Sequence, residues 1–141
     1  MSKKDVDVVV LDAIASEDDG VSFNNLVRKL EGRVSRATIV KVLRRLLRLG
    51  AIVEYKDVKH RQKKIYKVGE KIGLIYRELT LSIHEHPDIL SYVKELIFRY
   101  QRIMSRNLDE ISRRYAHHRA LNSFGAILEV GIDGEDTFNI G

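Results

Sequence analysis

Apolar residues in this chain recur at three- and four-residue steps, switch to alternation near position 51, and return to helical spacing after position 70. That order predicts helices, a short β segment, and helices again. The sharpest stripe lies in residues 35–50, SRATIVKVLRRLLRLG, where Ile39, Val42, Leu43, Leu46 and Leu49 share one helical face. Ser35 is placed to cap the start, its hydroxyl oxygen accepting from a first-turn N–H. Gly50 is placed to end the helix in the left-handed conformation. Ala37, Lys41, Arg44 and Arg48 recur at the same steps on another face, flanked by Arg36 and Arg45. The segment holds five basic residues and no acidic one. A merely solvated helix usually mixes charge signs, because opposite charges one turn apart stabilise it. A one-signed face points instead to a polyanion.

The flanking pattern places this helix in a larger unit. Val6, Val9, Val10, Ala13 and Ile14 form a stripe over residues 5–16, a first helix expected to carry its acidic residues outward. Glu17, Asp18, Asp19 and Gly20 read as a turn, and Val21, Ser22 and Phe23 as a very short strand. Asn24 or Ser22 can cap a second helix, NNLVRKLEG, with Leu26, Val27 and Leu30 inward and Gly32 at its end. Arg33 and Val34 link it to the basic helix. Residues 51–58 and 64–68, rich in Ile, Val and Tyr, read as two strands of a hairpin with Lys59, His60, Arg61, Gln62 and Lys63 at its tip. Two short helices, a basic helix and a basic hairpin make a winged helix-turn-helix.

The second half reads as helical. Ile72, Ile75, Tyr76, Leu79 and Ile83 give a stripe over residues 70–83, which His84, Glu85, His86 and Pro87 break. Pro87 and Asp88 suit the first turn of a new helix. Residues 88–118 read as one long helix, with Leu90, Ile97, Met104 and Ile111 at seven-residue steps and Val93, Tyr100, Leu108 and Tyr115 between them. A seam of that kind fits a coiled-coil contact, and a second copy of the chain is its natural partner. Beyond it, residues 121–141 read as a short helix, carrying Leu121, Phe124, Ile127 and Leu128, and an acidic tail. A hairpin over 127–140, turning at Asp133, Gly134, Glu135 and Asp136, is the alternative. The expected architecture is mainly α with a small β-hairpin wing: a winged helix-turn-helix domain over 1–76, a helical dimerisation region over 77–120, and the tail.

Charge strengthens the reading of the basic helix. The chain of 141 residues carries a net +5, but residues 28–77 alone hold sixteen Lys/Arg against four Asp/Glu, a net of +12. Basic charge concentrated in one block favours a polyanionic partner more than the modest total does. With 44% hydrophobic residues the chain can bury a core. It has no cysteine, which excludes disulfides and thiolate metal sites. The apolar runs are short for a membrane span and the start, MSKKDVD, has no apolar signal region, so the expected location is the cytoplasm.

Residues 35–54 resemble the recognition-helix segment of the MarR/PadR-like winged-helix transcription regulators. Their pattern runs Ser, about three residues, an apolar pair, then Leu-x-x-Leu-x-x-x-Gly-x-Ile, and Ser35, Thr38, Ile39, Leu43, Leu46, Gly50 and Ile52 supply it here. In such families the wing is commonly followed by Tyr-x-Leu-Thr-x-x-Gly. Here Tyr66, Val68 and Gly73 stand at matching places, and Gly69 replaces the Thr. The resemblance covers roughly residues 5–76 and implies a dimeric DNA-binding regulator.

Catalytic motifs do not compete with this reading. The chain has no Gly-rich phosphate loop and no Gly-x-Ser-x-Gly. His84 with His86, and His117 with His118, would need a clustered third ligand to hold a metal, and polar interhelix histidines account for them more simply. No enzyme activity, metal or cofactor is expected. In the expected complex, Arg36, Ala37, Thr38, Val40 and Lys41 face base edges in the major groove, and Ser35, at the helix start, belongs to the same DNA-binding set. Arg44, Arg45 and Arg48 grip phosphates, and Lys59, His60, Arg61, Lys63 and Lys64 touch the flanking backbone or minor groove. The rival readings are a sequence-neutral architectural protein on the same fold and a winged helix used for protein interaction.

Overall fold

The computed structural model describes residues 2–60 and 62–133. Arg61, expected at the hairpin tip, and the acidic segment 134–141 lie outside the described residues. The described chain is mainly helical with a small three-stranded antiparallel sheet. Its described residues form two compact units, 2–74 and 75–133.

In the first unit, α1 (Lys3–Ala15) is followed by β1 (Val21–Ser22), α2 (Phe23–Lys29), α3 (Arg36–Arg48), β2 (Ile52–Lys56) and β3 (Lys64–Val68). The strands lie in the order β1-β3-β2, with Glu54 opposite Tyr66 and Val21 opposite the same Tyr66 on the other side. Ser22 caps α2, its side chain accepting from the Asn25 N–H, so Phe23 opens the helix rather than ending the strand. The core joins Val10, Leu11 and Ile14 of α1 to Leu26, Leu30, Ile39, Val42, Leu46 and Ile52, all nearly inaccessible to solvent.

Two corrections concern this unit. Asp7, expected on the outer side of α1, is buried. Leu49, expected in the apolar face of α3, is 50% exposed because it is the C-cap residue, already past the packed turns. Gly50 follows with φ of +74°. Its N–H donates to the Leu47 carbonyl, and the Ala51 N–H donates to that of Leu46. These two bonds satisfy the last carbonyls of α3 and turn the chain into β2. Gly69 stands where the resemblance expects Thr. A Cβ there would lie 3.2 Å from the Gly50 carbonyl oxygen, so the close approach of the two segments favours glycine.

Gly20 is the tightest turn position. Its φ is +88°, and a Cβ would sit 2.6 Å from Ile65 Cγ2 and 2.8 Å from the Tyr55 hydroxyl. Gly20→Ala is expected to cost at least about 1–2 kcal/mol, from the left-handed backbone before any clash is counted. Urea unfolding of the full chain measures it. A loss below about 0.5 kcal/mol, within the scatter of ordinary surface substitutions, would remove the constraint.

The helix α4 (Glu70–Leu79) ends four residues earlier than its apolar stripe predicts, and a short 3-10 turn, Ile83–Glu85, follows. In the second unit the expected long helix over 88–118 is two helices. α5 (Ile89–Met104) is capped by Asp88, whose side chain accepts from the Ser91 N–H. α6 (Glu110–Asp133) begins after Asp109, whose carboxylate accepts from the Ser112 N–H at 3.0 Å. The short helix expected after residue 120 is therefore the continuation of α6. α5 and α6 run antiparallel: the Tyr92 hydroxyl donates to the Ser123 carbonyl at 3.1 Å, and the Tyr100 hydroxyl lies 3.2 Å from His117 Nδ1. Tyr92, Leu96 and Ile103 of α5 and Ile111, Tyr115, Ala116 and Ile127 of α6 are buried. Ile111 and Tyr115, expected in a seam between two copies, thus belong to the core of their own chain. Among the described residues no helix is long and apolar enough to cross a membrane.

Candidate nucleic-acid interface

The geometry of α3 follows from its two faces. Ile39, Val42, Leu43 and Leu46 are at most 4% exposed and lock one side of the helix into the first unit. Ala37, Lys41, Arg44 and Arg48 are exposed on the other side, as is Arg36 at the first position. Val40 is half-buried at the edge. Ser35 is the N-cap: its Oγ accepts from the Thr38 N–H at 3.2 Å and donates to Thr38 Oγ1 at 2.8 Å. Ser35 thus caps the helix as expected, and the Thr38 hydroxyl, expected near base edges, is engaged with it.

Arg45 is the main correction to the expected phosphate-gripping set. Its Nη2 lies 2.6 Å from Asp7 Oδ1, and its Nε donates to both carboxylate oxygens at 3.2 and 3.3 Å. The Asp7 side chain is 7% exposed and that of Arg45 23%. A bidentate guanidinium–carboxylate pair built on a buried carboxylate is strong and directional, so Arg45 ties α3 to α1 and is not free to meet a phosphate.

Across from α3 stands the hairpin. A cleft of about 600 Å³ lies between Val40, Leu43, Arg44 and Leu47 of α3 and Glu54, Lys63 and Lys64 of the hairpin, with Phe23 and Tyr66 also on its wall. Burial, and then the neighbouring Glu54 carboxylate, push the Tyr66 hydroxyl up to about 12. Glu54 also lies 3.7 Å from Lys64 Nζ. This carboxylate partly neutralises Lys64, leaving Arg44 and Lys63 as the stronger cations at the rim. Lys59 and His60 are exposed beyond them.

Phe23 was not recognisable as a site residue from the sequence. The Arg36 guanidinium carbon lies 4.9 Å from the centre of its ring, so the start of α2 supports the start of α3. Arg28, which no sequence pattern marked, borders a second concavity of about 520 Å³ with Asn24, Ser35 and Arg36. The signal for Phe23 was faint: an aromatic residue directly after a capping serine.

Among the described residues no three His, Asp or Glu side chains converge where a metal ion would bind. Of the expected seam on α5, Leu90 is 62% and Ile97 51% exposed, while Val93, Tyr100 and Met104 are half-buried, as is Leu108 in the link to α6. Comparison with known proteins found no matching family model, no matching curated protein and no matching solved structure.

Proposed function

We propose that this chain is a sequence-specific double-stranded DNA-binding regulator of the winged-helix kind, similar to the MarR/PadR-like regulators, acting as a homodimer in the cytoplasm. The observation that carries this reading is α3, buried along Ile39, Val42, Leu43 and Leu46 and exposing Lys41, Arg44 and Arg48 on the opposite side. Such a helix can enter the major groove without disturbing its own core. Arg36, Ala37, Val40 and Lys41 then face base edges, with Ser35 and Thr38 holding the helix start in position. Arg44 and Arg48 meet phosphates, and the β2–β3 hairpin acts as the wing, with Lys59, His60, Lys63 and, less strongly, Lys64 on the flanking backbone. No ligand or metal enters this reading.

The test is a salt titration of duplex binding with the full chain. The triple variant Arg44→Ala, Arg48→Ala, Lys63→Ala should bind all duplexes more weakly. Its log-affinity against log-salt slope should fall by about 0.9 for each phosphate no longer neutralised. An unchanged slope would remove this face from the interface. Selection of bound duplexes from a random pool separates the alternatives. A recovered palindrome supports the regulator, recovery of random sequence supports a sequence-neutral architectural protein, and no salt-sensitive binding supports a protein-interaction module.

A further inference from the structure

We infer that Phe23 is a positioning residue for base recognition: its ring holds the Arg36 guanidinium in the orientation in which that side chain reads a base pair. The inference rests on the proposed entry of α3 into the major groove. Arg36 is the first residue of α3 and is exposed. An exposed arginine at a helix start has many rotamers, and ordering it on DNA costs side-chain entropy. Here the guanidinium lies 4.9 Å from the centre of the Phe23 ring, within the range of a cation–π contact.

The chemistry of the two contacts is compatible. A ring attracts the guanidinium through its π face, whereas the N–H donors radiate from its edge. A guanidinium held over the Phe23 ring by its carbon at 4.9 Å keeps edge donors for the O6 and N7 acceptors of a guanine, the commonest partner of arginine in the major groove. The platform is itself held firmly. Phe23 is half-buried, and directly before it Ser22 is buried, paired to Ile65 in the sheet and acting as the N-cap of α2. Arg36 is in this way tied to α2 and the sheet as well as to its own helix.

The other arginines of α3 are held differently. Arg45 is locked to Asp7, while Arg44 and Arg48 are exposed and suit contacts to phosphate that tolerate motion. Among the described residues, Arg36 is the one arginine of α3 that combines exposure with an aromatic support. That is the arrangement a base reader needs, since orientation decides discrimination more than affinity does.

Random-pool selection with the full chain tests the assignment, using wild type, Arg36→Ala, Phe23→Leu, Phe23→Tyr and the Arg36→Ala/Phe23→Leu double variant. Phe23→Leu should lose preference at the same base pairs as Arg36→Ala, by about two- to fivefold, the range that an exposed cation–π contact supplies. Phe23→Tyr should keep it, and the double variant should be no worse than Arg36→Ala alone. The salt slope of Phe23→Leu should equal that of wild type, which a general loss of folding would not give. If the leucine variant unfolds, Phe23→Met provides the same comparison. Full retention of preference in Phe23→Leu while Arg36→Ala loses it overturns the role of Phe23 and leaves the proposed function standing. Sequences selected by Arg36→Ala that match those of wild type overturn both the positioning role and base reading by Arg36.

Discussion

Arg45→Ala is expected to destabilise the chain by about 3–5 kcal/mol, the cost of breaking a buried ion pair by removing one partner. The Asp7 side chain is 7% exposed and receives three hydrogen bonds from Arg45. Without the guanidinium, a buried carboxylate loses a bidentate cation that helps offset its desolvation. Asp7→Ala should cost less, because the 23% exposed Arg45 side chain can turn toward water. Arg44→Ala, on the exposed face of the same helix, should stay within about 0.5 kcal/mol of wild type. Replacing both partners by apolar residues, Asp7→Leu with Arg45→Met, should recover most of the loss. Denaturant midpoints at constant slope measure all four. An Arg45→Ala variant as stable as Arg44→Ala would show that the pair contributes nothing to the fold. The same variants separate folding from binding: where Arg45→Ala remains folded, its salt slope on DNA should match that of wild type.

Much of the first unit was legible because its signals are local. Ser35 and Gly50 bracket α3 through bonds to residues three to five positions away, and such contacts are written in adjacent sequence. The hairpin was legible from alternation and from its polar tip. The Asp7–Arg45 pair was not, since its partners stand 38 residues apart and an aspartate on a first helix looks like any solvated carboxylate. The second unit misled for a different reason. Leu90, Ile97, Met104 and Ile111 do recur every seven residues, but the face of α5 that is buried runs through Tyr92, Leu96 and Ile103. No glycine or proline marks the break after Met104. Ser105 and Asp109 end one helix and start the next by side-chain hydrogen bonding, Ser105 to the Arg102 carbonyl and Asp109 to the Ser112 N–H. Such residues compete with helical backbone bonds without forbidding them, so periodicity running across them hides the turn.

The double variant Leu90→Glu with Ile97→Glu is expected to convert a homodimer into monomers that bind the selected palindrome on the order of 10²–10⁴ times more weakly, the range by which linked sites exceed single ones. The premise is the part of the expected seam that remains outside the core. Leu90 is 62%, Ile97 51% and the adjacent Phe98 58% exposed, and large apolar side chains grouped along one helix mark an interaction surface more often than a solvated one. A second copy is the proposed occupant because one two-fold contact would present two α3 helices to one duplex. Binding of one half-site would then raise the effective concentration at the other. Since both substituted residues are exposed, the glutamates should leave stability within about 0.5 kcal/mol of wild type, so any loss of assembly reads as loss of the interface. Ile111 and Tyr115, at the far end of the expected seam, cannot serve this test. They are 4% and 0% exposed, and a charge there would disrupt the α5–α6 core and mimic dissociation by unfolding. Sedimentation at micromolar concentration without DNA decides the matter. A wild-type chain that sediments as a monomer would sink the homodimer and the two-fold site with it, whereas a dimer untouched by the two glutamates would move the interface away from α5.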